Sequence, residues 1–210
     1  MLASKQGLPV NIYRPKDITG HSRTGAWKAE GFLCSFFRTV IDMGSCPDIP
    51  LPLNYVPVDF AAQAIVHIAR QSPPSGRVFH LNNLRYRLLP TILDAIRAMG
   101  YPVRRLSYED WVQELVHFSA KNPATPLTPF VPLFVERWSE ENLTHIEMYY
   151  EGKIPRFECH NTLEALKGTE IVCPPVDDAL LGVYMSYFLR TGFFPPPDQI
   201  EGNTAAAVTR

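Results

Sequence analysis

Short β-favouring runs alternate with amphipathic helical periods through the first half of this chain, and no other feature narrows its fold as much. Leu8, Val10, Ile12 and Tyr13 predict a strand from Leu8 to Tyr13 that stops at Arg14-Pro15, because proline lacks the amide hydrogen a ladder needs. Phe32, Leu33, Phe36, Phe37, Val40 and Ile41 recur in pairs every four residues, which puts them on one helical face, and Gly44 follows as a stop. "LNYVPVDFAAQAIVHIAR" adds a brief extended piece and then a helix with Ala61, Ala64, Ile65 and Ile68 inward and Asp59 as its cap. "GRVFHLNN" reads as a strand, Pro90 to Met99 as a helix closed by Gly100, and "VRRLS" as another strand. Ser107 with Asp110 resembles a capping box that opens a helix around Trp111 and Leu115. Strands that alternate with helices imply an α/β fold with parallel pairing, since parallel neighbours need crossover connections.

The alternation ends near Ser119. Pro123, Pro126, Pro129 and Pro132 then recur every third residue, the period of polyproline II, but Leu127, Phe130, Val131 and Leu133 interleave them with core-type side chains. We read this run as a packed connector, with a recognition segment as the alternative. Helices are expected around Phe134 to Tyr149 and over Asp178 to Arg190, and a mobile tail from Gln199. The expected organisation is therefore a partial α/β part over residues 1–118, a mainly helical part over 119–198 and a flexible end over 199–210.

With 210 residues, 46% apolar and 20% charged, the chain can bury a sizeable core. Its formal net charge of −1, with lysine and arginine scattered, leaves no electrostatic footprint for nucleic acid. No apolar run is long enough to span a membrane and the start "MLASKQG" lacks a signal peptide's apolar segment, so a cytoplasmic protein is expected. Cys34, Cys46, Cys159 and Cys173 form no CxxC pair; they read as reduced structural thiols, two disulfides being the alternative.

A parallel sheet invites a search for a nucleotide site, yet no GxGxxG, GxxGxxG or GxxxxGK[ST] loop occurs, nor a GxSxG elbow or an HExxH helix. Tyr149 and Lys153 have a Tyr-x-x-x-Lys spacing, but Gly152 and Pro155 argue against the helical turn that would stack them. His67 and His80 read as structural, Glu140, Glu141, Glu147 and Glu151 as a solvated helix face, and Trp111, Trp138, Tyr184 and Tyr187 as core aromatics with a polar tip.

"GLPVNIYRPKDITGHSRTGAW", "YVPVDFAAQAIVHIA", "RVFHLNN", "GYPVRRLSYEDW", "CHNTLEAL" and "LRTGFFPPP", in that order, resemble the C-terminal part of the terminal thioester reductase domains of nonribosomal peptide synthetases and polyketide assembly lines. Aminoadipate and carboxylic acid reductases are relatives of that family. The resemblance implies an extended short-chain dehydrogenase fold: here a C-terminal remnant of a Rossmann-type parallel sheet followed by a mainly helical substrate-binding subdomain. It implies a parent that uses NADPH to reduce a thioester held on the phosphopantetheine arm of a peptidyl or acyl carrier protein, giving an aldehyde or alcohol. In that family the glycine-rich loop and the catalytic Thr/Ser, Tyr and Lys precede the strand matched by Leu8 to Tyr13, and Lys5 to Gly7 reads as the end of the helix that carries the lysine. The isolated chain is therefore expected to bind no cofactor and reduce nothing.

By the same resemblance, "RPK" matches an Arg-Pro-Gly that runs beside the nicotinamide, so Pro15, Lys16 and Ile18 are cofactor-side candidates, with Lys16 standing where the family has glycine. Ser22, Thr24, Trp27, Phe32 and Val58 are candidates for the substrate-pocket wall. Expected partners are the carrier protein, the missing N-terminal Rossmann part and a second copy pairing through exposed strand edges. A non-catalytic module that docks the carrier protein is the alternative function.

Overall fold

A computed structural model describes residues 10–71, 76–138, 140–155 and 157–200. The first part of the expected strand, Leu8 and Pro9, the residues Lys5 to Gly7 and the tail beyond Ile200 lie outside the described residues. Two compact units emerge. One gathers the segments up to Trp27, Asn54–Tyr86 and the stretch ending at Tyr184; the other gathers Lys28–Leu53, Arg87–Pro155 and the stretch from Met185. Both interleave along the chain, so the linear division near residue 118 stays a proposal about function.

In the first unit, β1 (Ile12–Pro15) pairs in parallel with β6 (Val78–Leu81), and β2 (Asp17–Thr19) with β5 (Tyr55–Pro57). The expected end of the strand at Tyr13 is corrected to Pro15, which lies in register with Leu81. Amides on one side of a parallel ladder alternate, and those of Ile12 and Lys16 donate to Arg77 and Leu81 at 2.9 and 3.0 Å. Pro15, one residue out of step, directs its missing N–H away from β6 and costs the ladder nothing. β6 shows the expected alternation, with Phe79 and Leu81 buried and Val78 and His80 only partly so. Phe79 and Leu81 meet Phe60, Ala61, Ala64 and Ile68 of α2 (Val58–Gln71) and Leu166, just beyond α7 (His160–Ala165), forming this unit's core. Ridged aliphatic and alanine positions let the helix sit close over the pair of strands.

The second unit is built around α1 (Phe32–Met43), whose end is set by Gly44 at φ +64°, a left-handed conformation that suits glycine. The chain turns there into β3 (Ser45–Pro47), which pairs in parallel with β8 (Arg104–Leu106), while β4 (Pro52–Leu53) pairs antiparallel with β7 (Arg87–Leu88). α3 (Leu89–Ala98) ends before Gly100, at φ +96°, as the sequence indicates. Ser107 caps α4 (Tyr108–Lys121): its hydroxyl accepts the Asp110 amide at 3.1 Å. The reciprocal half of a capping box is absent, because the Asp110 carboxylate takes the Ser107 hydroxyl at 2.7 Å. Trp111 is fully buried against Phe36 and Phe134, at ring distances of 5.7 and 5.3 Å, and its indole donates to the Ser45 carbonyl at 3.1 Å.

The proline run is not polyproline II. It forms tight turns, a 3-10 turn at Thr128–Phe130 and α5 (Pro132–Val135), with Leu127 and Phe134 buried, as a packed connector requires. The single helix expected around Phe134 to Tyr149 is corrected to α5 and α6 (His145–Tyr150), separated by a reversal in which Asn142 adopts φ +58°. Thr144 and Glu147 close α6 with a complete capping box. Glu147 is thereby buried instead of solvated, and its carboxylate also pairs with Arg137 at 3.1 Å. Trp138 is likewise corrected, being 65% exposed beside this reversal. α6 ends before Lys153, which pairs with Glu141 at 2.8 Å, so Tyr149 and Lys153 share no helical turn. α8 (Asp178–Arg190) forms as expected, and Gln199, expected to start the tail, closes a 3-10 turn at Pro197–Gln199.

Candidate functional site

Where β2 ends, the chain enters a loop from Gly20 to Trp27 that is held at three places, all within the first unit. Gly25, at φ +71°, lets the loop fold back: its amide donates to the His21 carbonyl at 2.9 Å, and the His21 amide donates to Ala26 at 3.0 Å. Tyr184, on α8, donates its phenol hydrogen to the Gly20 carbonyl at 2.9 Å. That leaves the phenol oxygen to accept the Thr19 hydroxyl, also at 2.9 Å, because a tyrosine has one hydrogen to give. Burial pushes the Tyr184 phenol well above its ordinary range, so it stays protonated and keeps both bonds.

The third clamp is Asp59. Its carboxylate accepts the Ser22 amide at 2.8 Å and the Ser22 hydroxyl at 2.6 Å. Burial acts to raise this carboxyl, but the Ser22 hydroxyl and amide bonds outweigh it and hold Asp59 below the usual carboxylate range. The cap role expected for Asp59 is corrected: α2 starts one residue earlier, at Val58, so Asp59 sits inside its first turn and reaches across to the loop. His21 lies 3.9 Å from the same carboxylate, yet its Nδ1 accepts the Arg23 amide at 3.2 Å. With the Ser22 proton held by Asp59, and Nδ1 taken by a backbone amide, the trio does not form a nucleophile relay.

Trp27 closes the loop, with its indole edge-on to Tyr184 and Tyr55 at ring distances of 4.8 and 6.0 Å. Gly20 permits this closeness, since a Cβ there would stand 2.9 Å from both the Gly25 carbonyl oxygen and the Trp27 Cβ. The structure therefore brings Ser22 and Trp27 together on one clamped loop, with Thr24 exposed at its tip and Val58 exposed at the start of α2. Phe32 belongs to the second unit, where its ring meets Phe130 and Phe134 at 5.5 and 6.0 Å. Pro15 ends β1, Lys16 forms the bend between β1 and β2, and Ile18 is 47% exposed on β2.

Asp59 and Tyr184 were not read from the sequence as site residues. Tyr184 carried a usable signal, a polar tip among the aliphatic positions of a helix, which demands a buried partner. Among the described residues no group of three or more His, Cys, Asp or Glu could hold a metal, and no helix is long and apolar enough to cross a membrane. All four cysteines are free, and burial pushes the Cys34 and Cys173 thiols up to about 12, as unreactive structural thiols require.

Residues 1–65 match the Male sterility protein family, an NAD-binding family. The chain is 32% identical over 204 residues to an isonitrile lipopeptide synthase of Streptomyces coeruleorubidus, a match that covers 97% of this chain and 14% of that protein. Among solved structures, the terminal R domain from the myxalamid PKS-NRPS biosynthetic pathway superposes with a TM-score of 0.78 at 31% identity, covering 93% of this chain and 47% of that one. A thiolation-reductase di-domain from an archaeal nonribosomal peptide synthetase shares the fold, with a TM-score of 0.68 at 19% identity over 92% of this chain and 39% of that one. Parallel strand pairs, covering helices and these matches define an extended short-chain dehydrogenase. Within that class the chain belongs to the terminal reductase domains of nonribosomal peptide and mixed polyketide assembly lines, and spans about half the length of the solved domain it matches.

Proposed function

We propose that this chain is the C-terminal, substrate-binding portion of an NADPH-dependent thioester reductase that releases a carrier-bound peptidyl or acyl thioester as an aldehyde or alcohol. The observation that carries the reading is the Gly20–Trp27 loop, which bears two hydroxyls and an indole and is clamped by Asp59 and Tyr184 directly beyond the β1–β2 segment. Ser22, Thr24, Trp27 and Val58 form the acyl-facing wall of the first unit; Phe32 is a separate candidate within the second. A rigid wall suits a substrate that must be held in one orientation for reduction.

Pro15, Lys16 and Ile18 fit one edge of a nicotinamide cofactor. The exposed Ile18 supplies an apolar surface, while Lys16 brings a side chain where the family has glycine. They supply no phosphate cradle, and the 210 residues contain no glycine-rich dinucleotide loop. NADPH, when bound in the complete domain, supplies the hydride. In this reading the cradle and the catalytic Tyr and Lys come from the preceding Rossmann half, residues 1–118 complete the sheet and pocket, and 119–198 form the helical substrate subdomain. The partner is a carrier protein with its phosphopantetheine arm, and the strand edges that carry no neighbour among the described residues favour pairing with the Rossmann half or with a second copy.

Isothermal titration of the chain with NADPH, at concentrations that detect millimolar binding, tests this. No heat of binding is expected from the chain, with NADPH oxidation on an acyl thioester recovered once the Rossmann half is supplied. Saturable binding by the chain alone would overturn the reading. The exposed Trp138, its ring 6.1 Å from His145, which in turn meets Tyr149 at 5.2 Å, favours a second reading, a carrier-docking module without chemistry. In that case the completed protein would bind carrier and never oxidise NADPH.

A further inference from the structure

We infer that Asp59 is a positioning residue which, through Ser22, fixes the Gly20–Trp27 loop as a preformed wall and so sets the affinity for the acyl thioester. The inference rests on the reading of this loop as the pocket wall. Four observations lead to it. Both Ser22 hydrogens capable of bonding go to one carboxylate, at 2.8 and 2.6 Å, from a helix 37 positions away in the chain. Charge-assisted bonds of this kind are short and strong, and a two-point grip removes the rotation that one bond would leave.

The carboxylate is mostly covered, with its side chain 17% exposed, so water competes weakly for it. Backbone bonds between His21, Gly25 and Ala26 fix the local turn and run within the loop itself. Tyr184 holds the two ends of the loop, Gly20 through its phenol and Trp27 against its ring, and the Ser22 grip is the tie nearest the exposed tip at Arg23 and Thr24. Trp27 at the far end then has a defined place against Tyr184 and Tyr55. Asp59 touches no reacting atom in this account. Its effect is on where Ser22, Thr24 and Trp27 stand when the substrate arrives, and a displaced wall loses contacts made alike to the bound thioester and to its transition state, which raises KM and leaves kcat in place.

The test has two parts. In the 210-residue chain, amide hydrogen exchange across His21 to Trp27 is compared for the wild type, Asp59→Asn, Ser22→Ala and Ser22→Thr. Ser22→Ala leaves α2 untouched, which separates loop release from misfolding. Exchange about tenfold faster at Ser22 and its neighbours is expected in the first two variants, with wild-type protection restored by threonine, which keeps the hydroxyl. In the complete reductase domain containing this chain, with S-octanoyl-pantetheine as probe, the same two variants are expected to raise the KM for the thioester about tenfold. kcat and the KM for NADPH stay within about twofold. Unchanged loop exchange overturns the inference alone. Faster exchange with an unmoved thioester KM, or with kcat and the NADPH KM moving too, also overturns it. A wild-type domain that reduces no thioester overturns the underlying reading, and the positioning role with it.

Discussion

Tyr184 and Thr19, 165 positions apart in sequence, meet at 2.9 Å through their side-chain oxygens, and the same phenol donates to the Gly20 carbonyl. One buried side chain thus satisfies both the end of β2 and the start of the candidate pocket loop. Tyr184→Phe would leave a buried hydroxyl and a carbonyl without a partner while keeping the ring, so a loss of about 1–3 kcal/mol is expected in urea unfolding. Thr19→Val with Tyr184→Phe should cost less than the sum of the single changes, because each removes the same bond. Additive losses would mean that the pair does not act as a unit.

Glu147 makes the corresponding prediction for the second unit. It accepts the Thr144 amide at 2.6 Å to complete the capping box and pairs with Arg137 at 3.1 Å, while being 7% exposed. Glu147→Ala removes the reciprocal half of the capping box, leaving the buried Thr144 amide without its carboxylate, and breaks the Arg137 pair, for an expected loss of about 1–3 kcal/mol by chemical denaturation. Arg137→Ala should cost less, since the Thr144 amide still bonds to the carboxylate. Equal losses would assign the stability to the ion pair instead of the cap.

How far the sequence discloses this architecture depends on the length over which a signal accumulates. The pairs from Phe32 to Ile41 extend over enough residues to register, the run "GRVFHLNN" reads as a strand, and α1 and β6 lie where they indicate. β2, β3, β4 and β7 are two or three residues long and exist because a partner segment lies beside them, so no local pattern announces them. Trp138 and Glu147 were misread by treating 134–149 as one helix. The Thr-x-x-Glu spacing of Thr144 and Glu147 marks a fresh helix start after a reversal, and that signature is present in the sequence. Ser22, Thr24 and Trp27 were reached through family resemblance. Their clamp was not, because a hydrogen bond spanning 37 positions leaves no periodic trace.

Gly20 is expected to be intolerant of any side chain. A Cβ there meets the Gly25 backbone oxygen and the Trp27 Cβ at 2.9 Å and the Tyr184 ring at 3.1 Å, and neither the backbone nor a Cβ can swing aside. Gly20→Ala should lose about 1–3 kcal/mol as an overpacked position and release Trp27 from Tyr184, read as a red shift of its fluorescence. Gly31→Ala, with nothing within 4 Å of the new methyl, is the control for crowding: as the N-cap of α1 it should cost no more than about 1 kcal/mol and leave the emission unchanged.

The Ser22 grip carries its own pH signature. Because Asp59 titrates below the ordinary carboxylate range in the folded chain, its contribution is complete above the unfolded-state value, about 4, and is lost as pH falls through the lower native value. His21 approaches the same carboxylate at 3.9 Å and adds to the lowering, though less than the two Ser22 bonds. An NMR titration of the Ser22 amide shift should therefore show a midpoint below about 4. Ser22→Ala, followed at the Asp59 side chain, should move that midpoint up, because the hydroxyl bond is the largest of the lowering causes. A midpoint at or above the ordinary value in the wild type would mean that burial outweighs the hydrogen bonds, and that the loop is tied to a protonated carboxyl instead of an anion.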